Sequence, residues 1–159
     1  MLHALMQYLS NSSAQTAVLV PGAISLAWLA HAARRQSVPP EVVYGWMLSV
    51  VVAYLCSNWK FDGELRELYI TPVFMIFGAV YLYCGRTMSP ACAFSFTFLN
   101  LWLVDMLRAY ELVALGEVSS TTFFQGVGGA GAGDGLYFFP LAAAGLVVYV
   151  KRRQGAGVA

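Results

Sequence analysis

Apolar residues run along this chain in long blocks rather than in alternation. Five blocks stand out: Thr16–Ala33, Val42–Trp59, Leu68–Cys84, a stretch from Ala91 through about residue 107, and Leu136–Val150. A hydrocarbon core of ~30 Å takes about 20 mostly apolar residues to cross as a helix, and these blocks come close to that length. Runs such as Leu48–Leu55 are rich in valine, which in water would suggest a strand. Lipid offers the backbone no hydrogen-bond partner, so only helices and closed barrels span it. A barrel would show segments of alternating character, and these blocks are apolar on every side. The pattern predicts an all-α membrane protein, a bundle of about five transmembrane helices over 16–33, 42–59, 68–84, 91–107 and 136–150, forming one polytopic domain across 1–159.

Breakers and charges frame the blocks. Pro39-Pro40, Pro72 and Pro90 sit at or near the starts of the second, third and fourth spans, where the N–H that proline lacks would go unpaired anyway. Pro21 and Pro140 fall inside the first and fifth, where a kink or a late start is expected. With the C-terminus in the cytoplasm, five crossings put the N-terminus outside. The inner segments then hold Arg34, Arg35, Arg86, Lys151, Arg152 and Arg153, and the outer ones only Lys60, Arg66 and Arg108. That bias is the one short cytoplasmic loops carry. Trp28, Tyr44, Trp46, Tyr81, Tyr83 and Tyr149 are expected near the inner interface, with Trp59, Tyr69, Trp102, Tyr110 and Tyr137 near the outer one.

Composition narrows the class. The chain has 159 residues, of which 59% are hydrophobic and 11% charged, against about 25% charged in soluble proteins. A soluble fold of this size would still expose roughly a third of its unfolded-chain surface, more than the polar residues could cover. The net charge of +1 gives no electrostatic footprint for nucleic acid. No basic segment precedes the first apolar block and no small-residue cleavage pattern closes it, so that block reads as a retained span and not as a signal peptide. Residues 1–9 gather Leu2, Met6 and Leu9 on one face, consistent with a short interfacial helix or an extension of the first span.

The chemistry is sparse. The cysteines are Cys56, Cys84 and Cys92, with no C-x-x-C spacing, and they read as packing residues. His3 and His31 fall at opposite faces and could not jointly hold a haem or metal in one copy. No nucleophile–base pair, metal cluster or repeated carboxylate arrangement is legible, so no catalytic residue, metal or cofactor is assigned. The fourth span is the exception. Thr97, Asn100, Asp105 and Arg108 form a loose polar stripe, and Asp105 and Arg108 stand three apart on one face, where they could pair. Ionisable groups at membrane depth are costly and point to function, whereas a helix emerging into water at Asp105 would carry only a weak surface pair.

Between the fourth and fifth spans, residues 111–134 form a glycine-rich outer segment. It has no Gly-Lys-Ser/Thr ending of a phosphate loop, and it reads either as a flexible linker or as a re-entrant cover, with Asp134 as a cap of the fifth helix. The segment Lys60–Leu68 mixes signs at helical spacing, Lys60 with Glu64 and Asp62 with Arg66, as a solvated face does. Asn100, Asp105, Arg108 and Asp134 are therefore the candidates for binding or permeation. The leading expectation is a small non-enzymatic protein of a bacterial or virally encoded inner membrane. It would be a channel, carrier subunit or holin-like pore built as a homo-oligomer, or a membrane subunit of a larger complex, with the lipid bilayer as its surroundings. The alternatives are a headgroup-handling enzyme on the outer face and a scaffold that docks an extracytoplasmic partner.

Overall fold

A computed structural model describes residues 15–35, 38, 40–56, 58–61, 65–69, 88–116 and 135–156. The described bundle has four helices: α1 (Val20–Arg34, entered through a π-helical turn, Gln15–Leu19), α2 (Pro40–Cys56), α3 (Pro90–Ala114) and α4 (Gly135–Ala156). A short hairpin, β1 (Asn58–Phe61) with β2 (Leu65–Tyr69), follows α2. Three segments are long and apolar enough to cross a membrane: Ala17–Arg34, Pro90–Ala114 and Gly135–Gly155. A fourth apolar helix, Val42–Leu55, is shorter.

Local chemistry explains several boundaries. At the start of α3, Ser89 is extended and its Oγ accepts a hydrogen bond from Cys92 N–H at 3.1 Å, with Pro90 in the first turn. A hydroxyl cap followed by proline satisfies one orphan donor and presets φ for the helix. Pro21 was expected to kink the first span or delay its start. The structure shows the late start: the α-helix begins only at Val20, behind the π turn, with Pro21 buried in its first turn. A proline removes the N–H that would bond four residues back and its ring crowds that carbonyl, so a widened turn just before it relieves both problems.

Two boundaries depart from the pattern in the sequence. The second span was expected to run to Trp59, but α2 stops at Cys56 and Asn58–Phe61 are strand. In the hairpin register Lys60 stands opposite Glu67, in place of the helical Lys60–Glu64 spacing. The predicted third span begins at Leu68 and Tyr69, which are the last residues of β2. The rest of it, 70–84, lies outside the described residues, as do 1–14 and 117–134. The fourth span outruns its expected end at 107. Helix α3 continues through Ala114 and ends on Gly116 at φ 76, with Leu115 N–H on Glu111 O at 2.9 Å and Gly116 N–H on Val113 O at 3.1 Å. Glu111, Leu112 and Ala114 are good helix formers, and the first residue suited to a left-handed stop is that glycine. Glu111 through Ala114 thus belong to the helix and not to the glycine-rich segment.

Helix α3 is the centre. The other three helices pack on it, and it buries residues around most of its circumference, from Cys92 and Ala93 to Val104, Asp105 and Ala109. One apolar cluster joins Ala17, Val18, Phe98, Ala109 and Leu136, and another joins Val42, Met88, Cys92, Ala93, Ala143 and Val147 with Trp28 against it. A third joins Val50 and Ala53 to Val104. These groupings fix the directions: α1 and α4 run antiparallel to α3, and α2 runs parallel to it. The outward face of α2 carries Tyr44, Met47, Leu48, Val51 and Leu55, all exposed, at the spacing of one helical stripe. So continuous an apolar surface is stable against lipid and not against water.

Candidate functional site

The polar groups of α3 divide into three places. Midway along the helix, Asn100 is wholly buried, and its Nδ2 donates to Ser49 Oγ at 2.7 Å. Ser49 Oγ in turn donates to Trp46 O at 2.7 Å, and Trp46 Nε1 donates to Phe96 O at 3.0 Å. The Trp46 ring lies against Phe96, 5.7 Å between centroids. Trp46 was expected in the inner aromatic girdle; it turns inward because this carbonyl satisfies its N–H within the bundle. The relay ties α2 to α3 at mid-depth. It also orients the amide: with the single Ser49 proton spent on Trp46 O, the group facing Ser49 must be a donor, so Asn100 Oδ1 points elsewhere.

That oxygen finds no hydrogen-bond partner, and neither do Thr97 Oγ1, Ser95 Oγ and Ser25 Oγ. All four residues are at most 2% exposed. At about 100° per residue, Thr97 and Asn100 share one face of α3 while Ser95 lies nearly opposite. On the Ser95 side, Gly22 of α1 lies against the Phe98 ring, 3.5 Å from where a β-carbon would stand. Ser25 follows Gly22 by three and Ser95 precedes Phe98 by three, so in antiparallel helices the two serines come level. The bundle interior therefore carries buried oxygens on two sides of α3, with the serine pair about 7.5 Å nearer its N-terminus than Asn100.

Towards the C-terminal end of α3, Asp105 is buried, 7% exposed. Arg108, one turn further, belongs to a clasp with the end of α2. Its Nη1 reaches Glu111 Oε2 at 2.6 Å, its Nη2 donates to Tyr54 O at 2.5 Å, and its Cζ lies 4.2 Å from the centre of the Tyr54 ring. Tyr54 Oη donates to the same Glu111 Oε2 at 3.0 Å. The expected partner of Arg108 was Asp105, three residues before it; its partner in the clasp is Glu111, three residues after. Both spacings put side chains on one helical face. Tyr54 O belongs to the last turn of α2, whose carbonyls have no partner within that helix, so a guanidinium there caps the neighbour.

The opposite end is basic. His31, Arg34 and Arg35 at the end of α1 and Lys151, Arg152 and Arg153 at the end of α4 are all exposed, and Arg153 leans over the Tyr149 ring at 5.4 Å. Of the four candidates, the structure thus puts Asn100 in the mid-depth relay, Asp105 buried one and a half turns on, and Arg108 in the clasp. Asp134 lies outside the described residues. Ser49, Tyr54 and Glu111 were not singled out from the sequence, and Trp46 only as an interfacial aromatic. Glu111 alone left a local signal, its three-residue spacing from Arg108. Cys92 is buried at the start of α3, in keeping with a packing role. Among the described residues no three His, Cys, Asp or Glu side chains gather as a metal site would require.

Three helices of spanning length and a lipid-compatible surface define the class: an integral membrane protein. No family model, curated protein or solved structure matches the chain.

Proposed function

We propose that the chain is a permeation element of a bacterial or virally encoded inner membrane: a small channel, carrier subunit or holin-like pore that works as an oligomer. One observation carries this reading, the four partnerless buried oxygens inside the helical bundle. An unsatisfied buried polar atom costs about 1–3 kcal/mol. Four of them approach the ~5–15 kcal/mol that holds a whole domain together. A sequence that needed only a stable bundle would place alanine or leucine there; polar atoms kept at such depth suit a polar species passing between the helices.

Five crossings, with the N-terminus outside and the C-terminus in the cytoplasm, go with this reading. Helix α2 ends beside the C-terminal part of α3, at Tyr54 and Glu111, whereas α3 begins at the other end, where Met88 meets Val42. Two parallel neighbours in sequence call for a return crossing between them. The exposed cations of α1 and α4 share one end, as cytoplasmic ends do. Exposed Ala23, Ala27 and Ala30 along α1 suit close approach by a second copy.

Purified protein in liposomes is expected to release a potassium or small-dye load, and Asn100→Leu to suppress that release. Vesicles no leakier than protein-free ones would refute the reading. Impermeant maleimide tests the orientation on single-cysteine variants in which Cys56, Cys84 and Cys92 are replaced by alanine: in intact cells it should modify Leu115→Cys and spare Arg152→Cys. The reverse pattern would invert the topology.

A further inference from the structure

We infer that the mid-depth station formed by Asn100 and Thr97 accepts a small monovalent cation and not an anion; this rests on the permeation reading above. The relay from Trp46 decides the sign. Ser49 gives its only proton to Trp46 O and takes one from Asn100 Nδ2. One Nδ2 proton is thereby committed to Ser49, and the atom of Asn100 left without any partner is Oδ1, an acceptor with two lone pairs and no proton. Thr97 stands one turn earlier on the same face, buried, with Oγ1 lacking a partner. Its hydroxyl can accept as well as donate. An anion arriving there would meet the carbonyl oxygen lone pairs head on. Potassium, sodium or a hydronium ion would find neutral hard-oxygen ligands, the type that replaces a hydration shell in cation filters.

The neutrality of the station bears on transport. A carboxylate at mid-bilayer would hold a cation tightly, whereas an amide and a hydroxyl bind it weakly enough to let it leave, which conduction requires. Asn100 is ten residues along α3 from Pro90, about 15 Å, with fourteen residues or about 21 Å remaining to Ala114. A cation there is near the middle of the hydrocarbon, where the electrostatic barrier is highest and ligands matter most.

The test is the current through planar bilayers carrying the full chain under a KCl gradient. The wild type is expected to reverse near the potassium equilibrium potential. Asn100→Leu, which removes the acceptor, should cut potassium flux by about tenfold, and Asn100→Asp should keep or sharpen the preference for potassium over chloride. A second readout does not depend on flux: KCl in place of choline chloride should raise the thermal midpoint of the detergent-solubilised wild type and leave that of Asn100→Leu unmoved. Chloride-selective current, or potassium current indifferent to both substitutions, overturns the cation assignment and leaves permeation standing. If neither ion crosses, permeation and the assignment fall together.

Discussion

Replacing Asn100 with leucine should cost the protein little stability while suppressing the ion release proposed above. Leucine shares asparagine's branching at Cγ and fits a helix well, but it is bulkier at a site with no exposed surface. The substitution gives up the bond from Nδ2 to Ser49, one such bond at 2.7 Å. A net side-chain hydrogen bond contributes about 0.5–1.5 kcal/mol, and inside membrane bundles the average is nearer ~0.6. Ser49 is not stranded by the change, because its proton stays on Trp46 O. Against that small loss, the variant removes the buried Oδ1, whose unmet acceptor costs about 1–3 kcal/mol. These two terms favour leucine by about 1 kcal/mol, and overpacking by the bulkier side chain, about 1–3 kcal/mol, offsets that gain. Reversible unfolding in mixed micelles, followed by far-ultraviolet circular dichroism in choline chloride, measures the difference. A variant less stable than wild type by more than about 3 kcal/mol, beyond what overpacking costs, would show that Oδ1 is satisfied inside the folded bundle, and the case for a polar species at mid-depth would collapse with it.

Other perturbations probe the frame that holds this station. Gly22→Ala should be nearly neutral, since a β-carbon would meet the Phe98 ring at an ordinary 3.5 Å, whereas Gly22→Leu should overpack the contact and cost about 1–3 kcal/mol in the same unfolding assay. Leu136→Ala opens a cavity where Leu136, 2% exposed, packs with Ala17, Phe98 and Ala109, and should cost about 2–5 kcal/mol; a loss below 1 would mean the site collapses freely. Ser89→Ala removes the hydroxyl that accepts from Cys92 N–H and should cost about 1 kcal/mol, with Ser89→Asp restoring most of it.

How much of this was readable in the sequence depends on whether the signal was local. The first and last described helices lie within a few residues of the apolar blocks that announced them, because block length and flanking Arg34-Arg35 and Lys151–Arg153 are one-dimensional facts. Ser89-Pro90 marks the start of α3 for the same reason. The hairpin was misjudged because mixed charges fit a helical face and a strand pair alike; Asp62-Gly63, a dipeptide favoured in tight hairpin turns, was the cue to weigh more heavily. The end of α3 was placed early because charged Arg108 and Glu111 read as exposed, when neutralising one another let them stay on the helix beside Tyr54. The mid-depth relay left no local trace. Ser49 and Asn100 are 51 residues apart and meet only because α2 and α3 run parallel. Asn100 stood out by residue type alone, and nothing in a linear reading could assign its partner or the direction of its amide.

The central position of α3 also governs how the protein is built. The faces that α1 and α2 bury have their docking surface on a helix that the ribosome has yet to make. From Arg34 to Ala114 it adds 80 residues, about 4–16 s at ~5–20 residues per second. For that interval Trp46 Nε1 of α2, whose acceptor Phe96 O lies on α3, sits in a nascent membrane segment without its partner. Newly inserted α1 and α2 are therefore the stage at which chaperoning by the insertion machinery, or capture by another copy, competes with correct closure. Slowing translation between residues 57 and 87 would lengthen that exposure, and speeding it would shorten it, with no change to the finished protein.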